Sequence, residues 1–122
     1  MGERTVLIVD DSAFARRIVR GIMESAHADW AIVEAASGEE ALAKAAATPP
    51  HFVLIDMNMP GIDGLTAARQ LLRDHPRSAI ALLTANIQEP IRRQAAAAGI
   101  AFIAKPAKTE KILDFLDGSG RP

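Results

Sequence analysis

Five short apolar runs punctuate the chain: Thr5–Val9, Trp30–Ala35, Phe52–Ile55, Ala79–Leu83 and Ile100–Ala104. Short runs rich in Val, Ile and Leu read as strands buried on both faces, the character of a parallel sheet. Each run is followed by a stretch with apolar residues at helical spacing. Strand and helix thus alternate five times, which predicts a layered α/β domain with a parallel sheet and right-handed crossovers. At 122 residues the chain makes one domain with one real core.

The helix boundaries follow from local chemistry. Ser12 is the N-cap of a helix over about Ala13–Ser25. Phe14, Ile18, Val19, Ile22, Met23 and Ala26 form its core stripe, and Arg16, Arg17, Arg20 and Glu24 its solvent face. Ser37-Gly38-Glu39-Glu40 is a capping box opening a helix over about Gly38–Ala47, which Thr48-Pro49-Pro50 stops. Asp63 caps a helix over about Gly64–Asp74, ended by His75-Pro76. Ala85–Glu89 reads as a loop, Pro90 suits the first turn of the fourth helix, and Gly99 ends it. Thr109 caps the last helix, which carries Ile112, Leu113, Phe115 and Leu116. The domain is expected over residues 1–117, with Gly118–Pro122 a polar tail or linker.

Polar residues stand at the carboxyl ends of four strands: Asp10 and Asp11, Asp56, Thr84 and Lys105. In a parallel sheet these ends share one edge, where ligands bind, so the side chains can converge on one pocket. Each has an ordinary reading alone: a helix cap, a strand end, a solvated lysine. Their agreement in one pattern argues for a site. Three neighbouring carboxylates repel one another unless a cation joins them, and an all-oxygen donor set suits Mg²⁺. His27, His51 and His75 fall in loops without ligand spacing and are expected to be solvated; Met57 and Met59 are expected to pack.

Composition removes several function classes. With no cysteine there are no disulfides, thiol catalysis or cysteine metal sites. A net charge of −1, one tryptophan and no tyrosine give no expectation of nucleic-acid or membrane binding. No run is long enough to span a bilayer, and the N-terminus moves straight into a strand without a signal peptide, so a cytoplasmic location is expected. DDSAFA after the first strand is not the glycine-rich loop of a dinucleotide fold.

The stretch HFVLIDMNMPGIDG, His51–Gly64, resembles the phosphoacceptor loop of the receiver domains of two-component response regulators. Together with Asp10-Asp11, Thr84 and Lys105-Pro106, the resemblance covers nearly the whole chain. It implies a doubly wound, flavodoxin-like (βα)5 fold with a five-stranded parallel sheet in the order 2-1-3-4-5. It implies that Asp56 takes a phosphoryl group from a sensor histidine kinase or a histidine phosphotransfer protein. Asp11 and Asp56 would bind Mg²⁺ directly, Asp10 largely through water, and the Asn58 backbone carbonyl would complete the protein ligands. Lys105 and Thr84 would meet phosphoryl oxygens, and the Lys105–Pro106 bond would be cis. Thr84 and Phe102 would form the switch that changes a helix 4, strand 5 and helix 5 surface read by a downstream protein. Asn58 and Asn86 lie two residues beyond Asp56 and Thr84; both are expected to rim the path of a hydrolytic water, tune the phosphoryl lifetime and meet an auxiliary phosphatase. The protein is expected to be a switch that promotes its own phosphorylation and slow dephosphorylation, not an enzyme. The alternatives are a degenerate receiver acting without phosphorylation and a Mg²⁺-dependent aspartyl phosphatase, which the short loops disfavour. Whether the receiver stands alone or belongs to a longer protein is left open.

Overall fold

The computed structural model describes residues 4–85 and 89–117. Its elements are β1 (Thr5–Val9), α1 (Ala13–Ala26), β2 (Ala31–Ala35), α2 (Gly38–Ala47), β3 (Phe52–Asp56), α3 (Gly64–Asp74), β4 (Ala79–Thr84), α4 (Glu89–Ala97), β5 (Ala101–Ala104) and α5 (Thr109–Leu116). The strands form one parallel sheet in the order β2-β1-β3-β4-β5, as the resemblance implied.

The period of two along each strand divides the core into two layers. Leu7, Val9, Val53, Ile55, Ile80 and Leu82 pack with α2, α3 and α4 through Ala41, Leu65, Leu71 and Ala95. Val6, Ile8, Leu54, Ala81, Leu83 and Ile103 pack with α1 and α5 through Met23, Ile112, Phe115 and Leu116. Covering both faces is why the central strands read as continuous apolar runs.

The caps are largely those expected. Ser12 Oγ accepts from Ala15 N, and Asp63 Oδ1 accepts from Thr66 N. Ser37 Oγ accepts from Glu40 N while Glu40 Oε1 accepts from Ala36 N, the reciprocal pair of a capping box. Such caps contribute about 1 kcal/mol each.

Several boundaries and faces differ from expectation. Trp30 N donates to His27 O in a turn, so β2 starts one residue later, at Ala31. Trp30 instead stacks between His27 and Phe52. Ile100 N bonds to Ala95 O and Gly99 N to Ala96 O, a Schellman closure with Gly99 at φ 79, so Ile100 belongs to the end of α4 and β5 starts at Ala101. α4 already begins at Glu89, whose charge suits a helix N-terminus. α5 begins after Lys108, whose carbonyl accepts from Ile112 N; Thr109 is its first helical residue and not its cap. On α1, Phe14 and Ile18 are exposed, 70% and 50%, and Ile18 borders a gap beside α5 lined also by Ile22, Thr109 and Leu113. His51 is not merely solvated: its Nδ1 accepts from Thr5 N.

Candidate functional site

Strand register carries the polar residues to one edge. Asp56 closes β3 beside Leu83 of β4, and Thr84 closes β4 beside Ala104 of β5, which precedes Lys105. Asp10 follows β1, its amide bonded to Ala35 O at the end of β2. One carboxylate oxygen each from Asp10, Asp11 and Asp56 lie within 4.8 Å of one another. Asp10 and Asp56 are buried and Asp11 is exposed, so the cluster is anchored inside and open outward.

Asp10 Oδ1 accepts from Ser12 N at 2.9 Å, which orders the turn into α1. Burial raises the Asp10 carboxyl above its usual range; Asp56 and Asp11 add to this by repulsion, while the Ser12 amide and Lys105 oppose it. Asp56 Oδ2 accepts from Asn58 N at 3.2 Å. Asp56 Oδ1 is buried without a hydrogen-bond partner, and the Lys105 ammonium lies against it as an ion pair. The same ammonium is 4.0 Å from Asp10 Oδ2. Lys105 N donates to Thr84 O, and the Lys105–Pro106 bond is cis.

The loop after Asp56 is held from both ends. Met57 N donates to Leu83 O, and Gly64 N returns to Met57 O. A Cβ on Gly64 would sit 2.1 Å from Asp56 O, so only glycine allows α3 to start against the acceptor's own carbonyl. Met57 and Met59 pack against the core as expected.

Thus Asp10, Asp11, Asp56 and Lys105 come together, with the fully buried Thr84 at the next strand end. Asn58 is exposed on the acceptor loop; Asn86 lies outside the described residues. Phe102 is half-buried on β5, belongs to neither core layer, and has the Arg92 guanidinium 5.1 Å from its ring centroid.

Sequence reasoning missed two residues behind this site. Arg16 and Arg20 are not a solvent face: both bind Glu34, and Arg16 also reaches Asp10 O. The available signal was Glu34 itself, a carboxylate inside an apolar strand facing arginines four residues apart.

The donor set fits Mg²⁺. It is all oxygen, it clusters anionic charge, and one ammonium, that of Lys105, faces three carboxylates.

A model of the family described as response regulator receiver domain matches residues 6–117. The chain is 38% identical over 109 residues to the response regulator GacA of Pseudomonas protegens, covering 88% of this chain and 51% of that protein. It is 34% identical over 118 residues to the chemotaxis protein CheY of Thermotoga maritima, covering 96% of this chain and 97% of that one. Among solved structures it resembles a chain of a CheX–CheY–BeF3–Mg²⁺ complex from Borrelia burgdorferi, with TM-score 0.85, 28% identity and coverage of 95% of this chain and 88% of that one. The chain therefore spans about half the length of GacA and nearly all of the Thermotoga CheY.

Proposed function

The chain belongs to the response regulator receiver family of two-component signalling, and on that premise we propose that it is a phosphoacceptor switch whose acceptor is Asp56. The observation that carries this reading is the meeting of three carboxylates with one lysine, which lies against the Asp56 oxygen that has no hydrogen bond. The donor is a histidine kinase or a histidine phosphotransfer protein. An Asp56 carboxylate oxygen attacks phosphorus, the P–O bond forms as the donor's P–N bond breaks, and the electron pair stays on the histidine nitrogen. Asp10, Asp11, Asp56 and the Asn58 carbonyl would hold Mg²⁺, which supplies charge neutralisation for the acidic cluster and the phosphoryl oxygens. Lys105 gives one phosphoryl oxygen a fixed cation, and the Thr84 hydroxyl donates to another. These are positioning and electrostatic tasks, those of a switch rather than a turnover enzyme. The exposed Phe14 and Ile18 beside the site offer the donor an apolar foothold.

The output surface in this reading is α4, β5 and α5. Between α4 and α5 lies an open groove of about 730 Å³ lined by Arg92, Phe102, Lys108 and Lys111 among others. Withdrawal of the Thr84 hydroxyl toward a phosphoryl group lets Phe102 turn and α4 shift, and a downstream protein reads the change. Asn58 and Asn86 rim the path of a hydrolytic water, where an auxiliary protein can change the phosphoryl lifetime. The chain's place in the cytoplasm belongs to the same proposal; no helix of the described residues is long and apolar enough to cross a membrane.

Incubation with a small phosphodonor and Mg²⁺ tests the reading by mass spectrometry. The protein should gain one base-labile phosphoryl group, and Asp56→Asn should gain none. Uptake by Asp56→Asn at the wild-type rate would overturn the assignment. Steady turnover of donor would favour the phosphatase, and no uptake by wild type the phosphorylation-independent module.

A further inference from the structure

Apart from Asp56, Glu34 is the one charged residue within the five strands. It sits half-buried near the end of β2 and binds two cations of α1: Arg16 Nε at 2.8 Å and Arg20 Nη1 at 2.9 Å. These ion pairs hold the Glu34 carboxyl below its usual range, with the Arg16 hydrogen bond the leading cause. Arg16 uses its other arm to donate from Nη1 to the Asp10 carbonyl at 2.6 Å. That carbonyl belongs to the residue just past the last paired residue of β1, Val9. The Arg16 side chain is only 17% exposed, so its fork is covered while it bridges two fixed points.

We propose that Arg16 is a positioning residue for the metal-binding turn Asp10-Asp11, and that Glu34 both aims Arg16 and neutralises it. This rests on the reading of that turn as part of a Mg²⁺ site. The chemistry needs both halves. A planar guanidinium can join a carboxylate to a carbonyl in one rigid unit, which a lysine ammonium cannot do. Fixing the Asp10 main chain, together with the Ser12 amide on Asp10 Oδ1, sets where the two neighbouring carboxylates point. A cation so close to a divalent-metal site would by itself oppose binding, and the Glu34 charge offsets that repulsion.

The two roles have opposite signs, which makes the test decisive. If Arg16 acted only as a nearby charge, its removal would tighten Mg²⁺ binding. As a positioning residue, its removal must weaken binding although a positive charge has gone. Calorimetric or NMR titration with MgCl₂ alone should show Arg16→Met binding roughly tenfold more weakly, the scale of effect for residues that orient metal ligands. Arg17→Met, which removes an exposed charge from the same helix, should stay within about twofold of wild type. Arg16→Lys keeps the charge and should also lose affinity. Before any metal is added, its Ser12 amide resonance should shift while that of Asn58 stays in place, a signature that general loss of stability would not produce. Glu34→Gln keeps an acceptor for Arg16 but not the neutralising charge, so its loss of affinity should shrink as salt is raised.

Arg16→Met binding as tightly as wild type or tighter overturns the proposal. If that variant does not fold, Arg16→Lys decides: wild-type affinity with an unmoved Ser12 amide is equally fatal. Failure of the wild-type protein to bind Mg²⁺ would instead sink the reading of the site on which the proposal stands.

Discussion

Asp10 carries a folding cost that follows from its place. Burial raises its carboxyl above the unfolded value, and the neighbouring Asp56 and Asp11 add to the rise. A carboxyl raised in this way favours the folded state fully below the ordinary aspartate range, and the benefit is lost as pH rises through the raised value. At neutral pH the ionised side chain therefore works against folding until a metal ion adds to the charge that Lys105 supplies. Metal-free Asp10→Asn should melt a few degrees above wild type at pH 7, and the gap should close as the pH falls into and below the aspartate range. Mg²⁺ should raise the melting temperature of wild type more than that of the variant, because binding to the folded state stabilises it by mass action. Thermal unfolding across pH, with and without MgCl₂, checks both. A variant that melts lower than wild type without metal at pH 7 contradicts the argument.

Among the elements, α3 and α4 lie on the same face of the sheet and are anchored very differently. α3 is capped by Asp63 and buries Leu65, Ala67, Ala68 and Leu71. α4 fully buries only Ala95, with Ile91 half-covered, and is closed by the Gly99 turn. Few buried apolar contacts mean a low local opening free energy. Amide hydrogen exchange over 89–97 should run at least about tenfold faster than over 64–74. In the proposed switch that difference would let α4 move while α3 holds the acceptor loop still. Equal protection of the two helices would leave α4 no easier to move than α3, and the proposed output surface would lose its physical basis.

For the whole molecule the question is how an event at Asp56 reaches a surface. In the proposed switch a phosphoryl group on Asp56 would add no contact at the α4 and α5 surface, so its effect there would be a shift between two arrangements, limited by their difference in affinity for phosphate. Phe102 is suited to mark that difference, since it belongs to neither core layer and has the Arg92 guanidinium against its ring. Binding beryllium fluoride with Mg²⁺ should move NMR resonances of Phe102, Arg92 and α5 as well as those of the acceptor loop. The Phe102–Arg92 contact should weaken as the ring turns. Shifts confined to residues 10–12, 56–64 and 84–85 would refute this output route and leave the phosphoacceptor assignment intact.

The chain's local chemistry determined the alternation of five strands and five helices, the caps at Ser12, Ser37 and Asp63, and the polar residues at the strand ends. These are signals carried within a few residues, by side-chain period and by the capping of exposed amides. In a parallel sheet all strand ends share one edge, so the convergence of Asp10, Asp11, Asp56 and Lys105 followed from strand direction alone. The strand order had no local signal and came from family resemblance. Periodicity says which face of α1 is apolar but not how much of it a neighbour covers: Phe14 and Ile18 are exposed, Ile18 beside a gap next to α5. Nor can composition say that Arg16 spends its charge on Glu34 and its second arm on Asp10 O: those partners, 18 and 6 residues away, meet only when β2 pairs with β1 and α1 packs beside them. Tertiary structure decides such pairings because they depend on which elements become neighbours, and nothing within a single helix or strand encodes its neighbour.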